Sequence, residues 1–234
     1  MTTFVLVPGM WLGSWAWDAV AERLRATGHD VRPLTLTGVG ERAAEAGPDV
    51  DLDRHVADIV DLIERDDLHD VVLVGHSYGG LPVRGAADRV PERIATVVYV
   101  DSGPVPDGTA QLDLGGPVTR VGDGIAPPDW DPAADAQNLA GLDGAALARL
   151  RDRSTPHPYA SAAQKLRLST SDQPPTVLVP TTFPAEQVRA MIEADHPFFA
   201  GLDRRDYRIE PLPTGHWPML SRPDDLADLL ARVG

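Results

Sequence analysis

Val71-Val72-Leu73-Val74-Gly75-His76-Ser77-Tyr78-Gly79-Gly80 is the stretch that decides the fold. Its apolar, largely β-branched opening predicts a buried strand, and the glycine-flanked serine predicts a sharp turn into a helix. A serine lifted above a sheet on such a turn leaves no room for a Cβ two residues to either side. Both of those positions are glycine. Strand, Gly-x-Ser-x-Gly and helix in that order make a nucleophile elbow, so Ser77 is read as a catalytic nucleophile.

Outward from the elbow, strand and helix signals alternate, as a parallel sheet with crossover helices requires. Residues 3–7 read as a strand ending at Pro8-Gly9, residues 15–27 as a helix closed by Gly28, and residues 31–36 as a second strand. A helix is expected from about residue 52 to 65, with Leu52, Val56, Ile59 and Ile63 on one face. After the elbow comes a strand over 94–100 that stops at Asp101. The character then changes. Residues 102–175 are rich in Pro, Gly and Asp, with few strong strands and one helix near 145–151. Regular signals resume with a strand at 176–179, a helix near 185–194, a strand at 207–212 and a last helix at 223–233. The expected division is therefore one domain, with core segments 1–101 and 176–234 and an insertion at 102–175.

The 234 residues suffice to bury a full core. Hydrophobic residues make up 43% and charged residues 24%, which is ordinary for a globular protein. With 35 acidic against 21 basic residues the net charge is −14, which disfavours nucleic acid and anionic membranes as partners. The absence of cysteine excludes disulfides, thiolate metal sites and a cysteine nucleophile. No signal segment or membrane span is read, so cytoplasmic residence is expected.

Phe4-Val5-Leu6-Val7-Pro8-Gly9-Met10-Trp11-Leu12-Gly13-Ser14-Trp15-Ala16-Trp17 is similar to the opening of the plant methylesterase and hydroxynitrile lyase branch of the α/β-hydrolases. The Gly-His-Ser-Tyr-Gly-Gly elbow is similar too. Leu36-Thr37-Gly38-Val39-Gly40-Glu41-Arg42 resembles bacterial esterases of that branch. The superfamily resemblance spans nearly the whole chain. It implies an α/β-hydrolase fold, a mostly parallel central sheet flanked by helices, with residues 102–175 as a compact cap or lid and no cofactor or metal. Two departures stand out: Pro8 replaces the branch's usual histidine before the glycine, and Trp217 replaces the lysine that its hydroxynitrile lyases carry after the catalytic histidine. Cyanohydrin cleavage by that route is thereby disfavoured.

The resemblance also orders the catalytic groups as serine, acid, histidine, with the histidine in a loop after the last strand. Among seven histidines His216 alone lies there, in Thr214-Gly215-His216-Trp217-Pro218, with His196 its rival. The turn after the strand at 176–179 usually supplies the acid, but Pro180-Thr181-Thr182-Phe183-Pro184 contains no carboxylate. Asp101, at the end of the preceding strand, is read as the acid, ahead of Glu186, Asp195 and Asp203. The backbone N–H groups of Met10 and Tyr78 are the expected oxyanion donors. Trp11, Leu81, Trp130, Phe183, Trp217 and Met219 are expected around the substrate, while Trp15 and Trp17 are assigned to the core. Together these features predict a serine hydrolase that cleaves a carboxylic ester of a small to medium apolar or aromatic substrate through an acyl-enzyme. Lactone, thioester or C–C bond cleavage, a tailoring reaction on the same triad, and a slow-turnover ligand sensor are the alternatives. Oligomeric state is not legible.

Overall fold

The computed structural model describes residues 1–116, 118–170 and 173–234. In chain order the strands are β1 (Thr3–Val7), β2 (Asp30–Pro33), β3 (Val71–His76), β4 (Ile94–Val100), β5 (Arg120–Val121), β6 (Gly124–Ile125), β7 (His157–Pro158), β8 (Thr176–Val179) and β9 (Tyr207–Ile209). The α-helices are α1 (Asp18–Ala26), α2 (Leu52–Arg65), α3 (Gly80–Arg89), α4 (Gly144–Arg153), α5 (Tyr159–Ala163), α6 (Ala185–Glu193), α7 (Pro218–Ser221) and α8 (Pro223–Val233). Six strands form the main sheet in the order β2-β1-β3-β4-β8-β9, and every neighbouring pair is parallel.

The alternation of side chains along a strand splits the core into two layers. Val5, Val7, Leu73, Val97, Tyr99 and Leu178 face one side, where they meet Val56, Ile59 and Ile63 of α2 and Leu81 and Val83 of α3. Phe4, Leu6, Val72, Val74, Val98, Val100, Val177 and Val179 face the other, against Val20 and Leu24 of α1 and Leu226 and Leu230 of α8. Trp15 and Trp17 are buried in this second layer, as expected. Asp51 caps α2 by accepting from the Arg54 N–H at 2.9 Å, which accounts for the sharp start of that helix.

The register positions the site. Val7 pairs with Gly75, Gly75 with Tyr99, His76 with Val100, and Val100 with Val179. The strands therefore end side by side, and Ser77, Asp101 and the loop at Pro180 emerge at one edge of the sheet.

Several expected boundaries shift for identifiable reasons. The single helix expected at 15–27 is a 3₁₀ turn, Ser14–Trp17, followed by α1, because Trp17 departs from helical backbone at φ −97° and ψ 0°. β2 ends at Pro33 rather than residue 36, and the chain then bends so that Thr37 N–H meets Asp58 Oδ2 at 2.7 Å. β9 stops at Ile209, although Glu210 N–H still donates to Leu178 O at 2.9 Å and Leu212 N–H to Pro180 O at 3.1 Å; Pro180, next on the β8 side, has no N–H to return to the ladder. The 102–175 stretch holds α4 as expected. It also holds α5 and a small antiparallel sheet, β5-β6-β7, which were not read from the sequence. Two-residue strands and a five-residue helix carry too little periodicity to be seen.

Candidate active site

Ser77 leaves β3 at φ +51°, in the left-handed region that a non-glycine residue adopts only at a cost. The turn is held by what surrounds it. A Cβ on Gly75 would lie 2.6 Å from Gly79 O, and one on Gly79 would lie 2.8 Å from both Val7 O and Pro8 O. These are backbone atoms that cannot swing away, so the flanking glycines are a steric requirement. Ser102 Oγ donates to Ser77 O at 2.7 Å and ties the elbow to the end of β4.

His216 approaches from the loop before α7. Its Nε2 lies 2.9 Å from Ser77 Oγ and its Nδ1 lies 2.6 Å from Asp101 Oδ2. Asp101 is itself at φ +43°, and its side chain is only 6% exposed. The loop after β8 offers no carboxylate, but it supplies donors. Asp101 Oδ1 accepts from Thr181 N–H at 2.9 Å and Thr182 N–H at 3.1 Å, and the Thr182 hydroxyl reaches Oδ2 at 2.9 Å. Burial alone would raise the Asp101 carboxyl pKa. The hydrogen bond from His216, its charge and the two backbone N–H groups outweigh that burial and hold the carboxyl well below the usual carboxylate range. Asp101 thus remains an acceptor, and His216 Nδ1 must carry the proton that it accepts. His216 Nε2 is then left to accept from Ser77 Oγ.

The His216 loop is clamped from several sides. His216 N–H donates to Asn138 O at 2.7 Å and Gly215 N–H to Ala140 O at 3.1 Å. Thr181 Oγ1 donates to Gly215 O at 2.9 Å. His76 is fully buried and places Nε2 2.6 Å from His216 O, where it donates. Burial, and then the neighbouring His216, push the His76 pKa far down, so this imidazole stays neutral. Thr181, Thr182, Ser102 and His76 were not read as site residues. A hydroxyl or imidazole whose partner is a distant backbone atom leaves no signal in sequence spacing.

A cavity of about 430 Å³ opens above Ser77 and His216. Met10, Trp11, Trp130 and Trp217 line it together with Leu112 and Ile125, and Asp135 and Asn138 form a polar edge. Trp11 and Trp130 meet edge to face at 5.9 Å, as do Trp130 and Trp217 at 5.1 Å. Trp11 Nε1 donates to Ile125 O at 3.1 Å, which fixes the first-strand loop against β6. Phe183 lines a neighbouring cavity of about 330 Å³ that shares Asn138 and His216 with the first. Leu81 and Met219, expected around the substrate, line neither cavity. They are buried in the two core layers because their helices turn those side chains toward the sheet.

The Met10 loop lies alongside the elbow: a Cβ on Gly9 would sit 3.1 Å from Ser77 Cβ. The Tyr78 side chain points away from the cavity into a buried polar cluster. Its hydroxyl lies 2.7 Å from His55 Nδ1, and His55 Nε2 lies 2.8 Å from Thr37 O. The carbonyl can only accept, so Nε2 carries the His55 proton and the Tyr78 hydroxyl donates to Nδ1. His157 packs against both rings and reaches Ser161 Oγ at 3.0 Å. Burial depresses the His55 pKa to about 4 and takes His157 well below its ordinary value.

The buried histidines make the fold sensitive to acid. The unfolded chain protonates a histidine near 6.5, whereas folded His55 does so near 4. Between those values the unfolded state holds more protons, so stability falls as pH falls. His55 alone should remove about 2 kcal/mol between pH 7 and pH 5. Urea unfolding at pH 7 and pH 5 checks this. His55→Gln should show a smaller loss than the unsubstituted protein, and an equal loss would contradict the assignment.

The other expected rivals lie elsewhere. His196 caps a 3₁₀ turn by accepting from Phe198 N–H, Asp195 pairs with Arg204, and Asp203 pairs with Arg205. Among the described residues no group of three or more His, Asp or Glu side chains is placed to hold a metal ion, and no helix is long and apolar enough to cross a membrane.

Comparison with known proteins agrees with this architecture. The profile of the alpha/beta hydrolase family matches residues 4–229. A carbendazim hydrolyzing esterase from Nocardioides sp. (strain SG-4G) is 34% identical over 253 residues, covering 100% of both chains. Methylesterase 8 of Arabidopsis thaliana is 37% identical over 100 residues, which span 42% of this chain and 37% of that protein. An extracellular alpha/beta-hydrolase from a Paenibacillus species shares the fold with a TM-score of 0.79 at 22% identity, over 100% of this chain and 99% of that one. The chain belongs to the alpha/beta hydrolase family.

Proposed function

We propose that this esterase uses Ser77, His216 and Asp101 as a catalytic triad on the carboxylic ester of a small to medium apolar or aromatic substrate. The observation that carries the reading is the unbroken hydrogen-bond chain from Asp101 through His216 to Ser77 at the floor of a cavity walled by tryptophans. Ser77 Oγ attacks the ester carbonyl carbon while His216 Nε2 takes its proton. Asp101 holds the imidazole in the reactive tautomer and stabilises the imidazolium. The N–H groups of Met10 and Tyr78 receive the developing oxyanion. His216 returns the proton to the departing alcohol. It then removes one from a water, which releases the acid and regenerates Ser77.

Trp11, Trp130 and Trp217 would face the flat part of an aromatic substrate, and Phe183 would extend the apolar surface beyond His216. In the same reading residues 102–175 act as the cap, since Leu112, Ile125 and Trp130 come from that stretch. The partner is a small molecule, no cofactor takes part, and the cytoplasm is the compartment.

A fluorophosphonate probe with a series of p-nitrophenyl esters tests the reading. Labelling at Ser77 together with ester turnover is the expected outcome, with aryl-acid esters turned over faster than acetate. Labelling without turnover would replace ester hydrolysis by another bond type or by ligand sensing. Failure of both would remove the triad assignment.

A further inference from the structure

A second cavity, of about 510 Å³, lies apart from the triad and shares no lining residue with the cavity at Ser77. At its wall is Arg84, on α3 seven positions beyond Ser77, with only 2% of its surface exposed. Its Nε and Nη1 are buried without any hydrogen-bond partner, and no ion pair involves Arg84 among the described residues. Arginine keeps its charge in proteins. A buried guanidinium without a counter-charge is among the costliest arrangements a fold can hold, and such a group calls for an ion or water to complete it.

The neighbouring carboxylates are engaged elsewhere. Asp88, one turn along α3, accepts from Ser169 N–H at 2.8 Å, Ser169 Oγ at 2.9 Å and Thr170 N–H at 3.1 Å. Asp203 is paired with Arg205 at 2.8 Å, and Asp107 accepts from Leu168 N–H at 2.8 Å. Tyr99, whose phenol feels the Arg84 charge, is held neutral by burial. No carboxylate among the described residues pairs with Arg84, so its partner must enter from the cavity, as water or as an anion.

The lining also bears on which anion. Asp107 borders the cavity, and the Asp203 charge there is balanced by Arg205, so the one uncompensated carboxylate of the lining repels a dianion more than a monoanion. Leu168 and Leu202 add apolar wall, and the space far exceeds what a bare inorganic ion fills. A carboxylate head matches a guanidinium in shape and charge. We propose that this cavity binds a small organic monocarboxylate, its head on the Arg84 guanidinium and its hydrocarbon part against Leu168 and Leu202.

Thermal unfolding of the full chain with hexanoate, at constant ionic strength, tests the site. Hexanoate should raise Tm saturably, by about 3 °C once well above its Kd. Arg84→Met should lose that rise while keeping p-nitrophenyl ester turnover within about twofold, because the cavity does not include the triad. Any hexanoate bound at the Ser77 cavity would persist in Arg84→Met, so only the Arg84-dependent part counts. Should Arg84→Met fail to fold, Arg84→Gln removes the charge while keeping polar contacts, and the same loss is expected. No saturable rise in the unsubstituted protein, or an equal rise in the variant, would overturn the proposal. A larger rise with inorganic phosphate than with hexanoate would overturn the carboxylate assignment.

Discussion

Ser77→Ala should lower kcat for p-nitrophenyl esters by about 10⁶-fold, on the scale seen when a serine nucleophile is removed from a triad. The expectation rests on geometry. Ser77 Oγ is the atom that His216 Nε2 reaches at 2.9 Å, and it borders the cavity directly. Alanine removes that oxygen and little else, because Ser102 still donates to the backbone carbonyl at position 77 and the flanking glycines still shape the turn. KM and Tm should therefore change little while turnover collapses. His216→Ala should fall as far, since members of a triad act as a unit. Steady-state kinetics and fluorophosphonate labelling provide the two readouts. Turnover within about tenfold of the unsubstituted protein would show that ester cleavage occurs without this serine.

Asp101→Asn should lower kcat by about 10⁴-fold with the fold intact, following the handling of the same exchange in the serine-protease triad. An asparagine retains an oxygen for the Thr181 and Thr182 N–H groups, so the loop after β8 keeps its anchor. What changes is the group facing His216. An amide N–H turned toward Nδ1 favours the tautomer that puts the proton on Nε2, and that nitrogen can then no longer accept from Ser77. Measuring kcat and the urea midpoint together separates a catalytic effect from unfolding. Activity within about threefold of the unsubstituted protein would assign the orienting role to another group.

Much of this arrangement was legible along the chain because it is written locally. The apolar run at 71–74 and the glycines at 75 and 79 specify a strand and a serine on a sharp turn within a few residues, and α2 announces itself through Leu52, Val56, Ile59 and Ile63. The strand bounds of β1, β4 and β8 and the helix bounds of α2 and α8 agree with the expectation for the same reason. His216 followed from the family's chain order, and Asp101 from its place at a strand end.

Contacts between distant residues were not legible. Thr181 and Thr182 look like ordinary loop threonines until the β4–β8 register sets them beside Asp101. His76 looks like part of the elbow until it reaches the carbonyl of His216, 140 positions away. Leu81 and Met219 were misplaced because an apolar side chain near a catalytic residue in sequence can point into the core. Arg84 gave no sign of being buried, since a lone arginine on a helix is ordinarily solvated.

The sequence by itself determined the parallel α/β layering and the serine elbow, because hydrophobic period, glycine placement and strand ends are short-range properties. Only the tertiary structure decided that Asp101 meets His216 at 2.6 Å, that three tryptophans share one wall, and that Arg84 has no counter-ion among the described residues. Those outcomes depend on strand register and on contacts such as those of Ile125 and Trp130 with residues far off in the chain, and neither is encoded in any single local window.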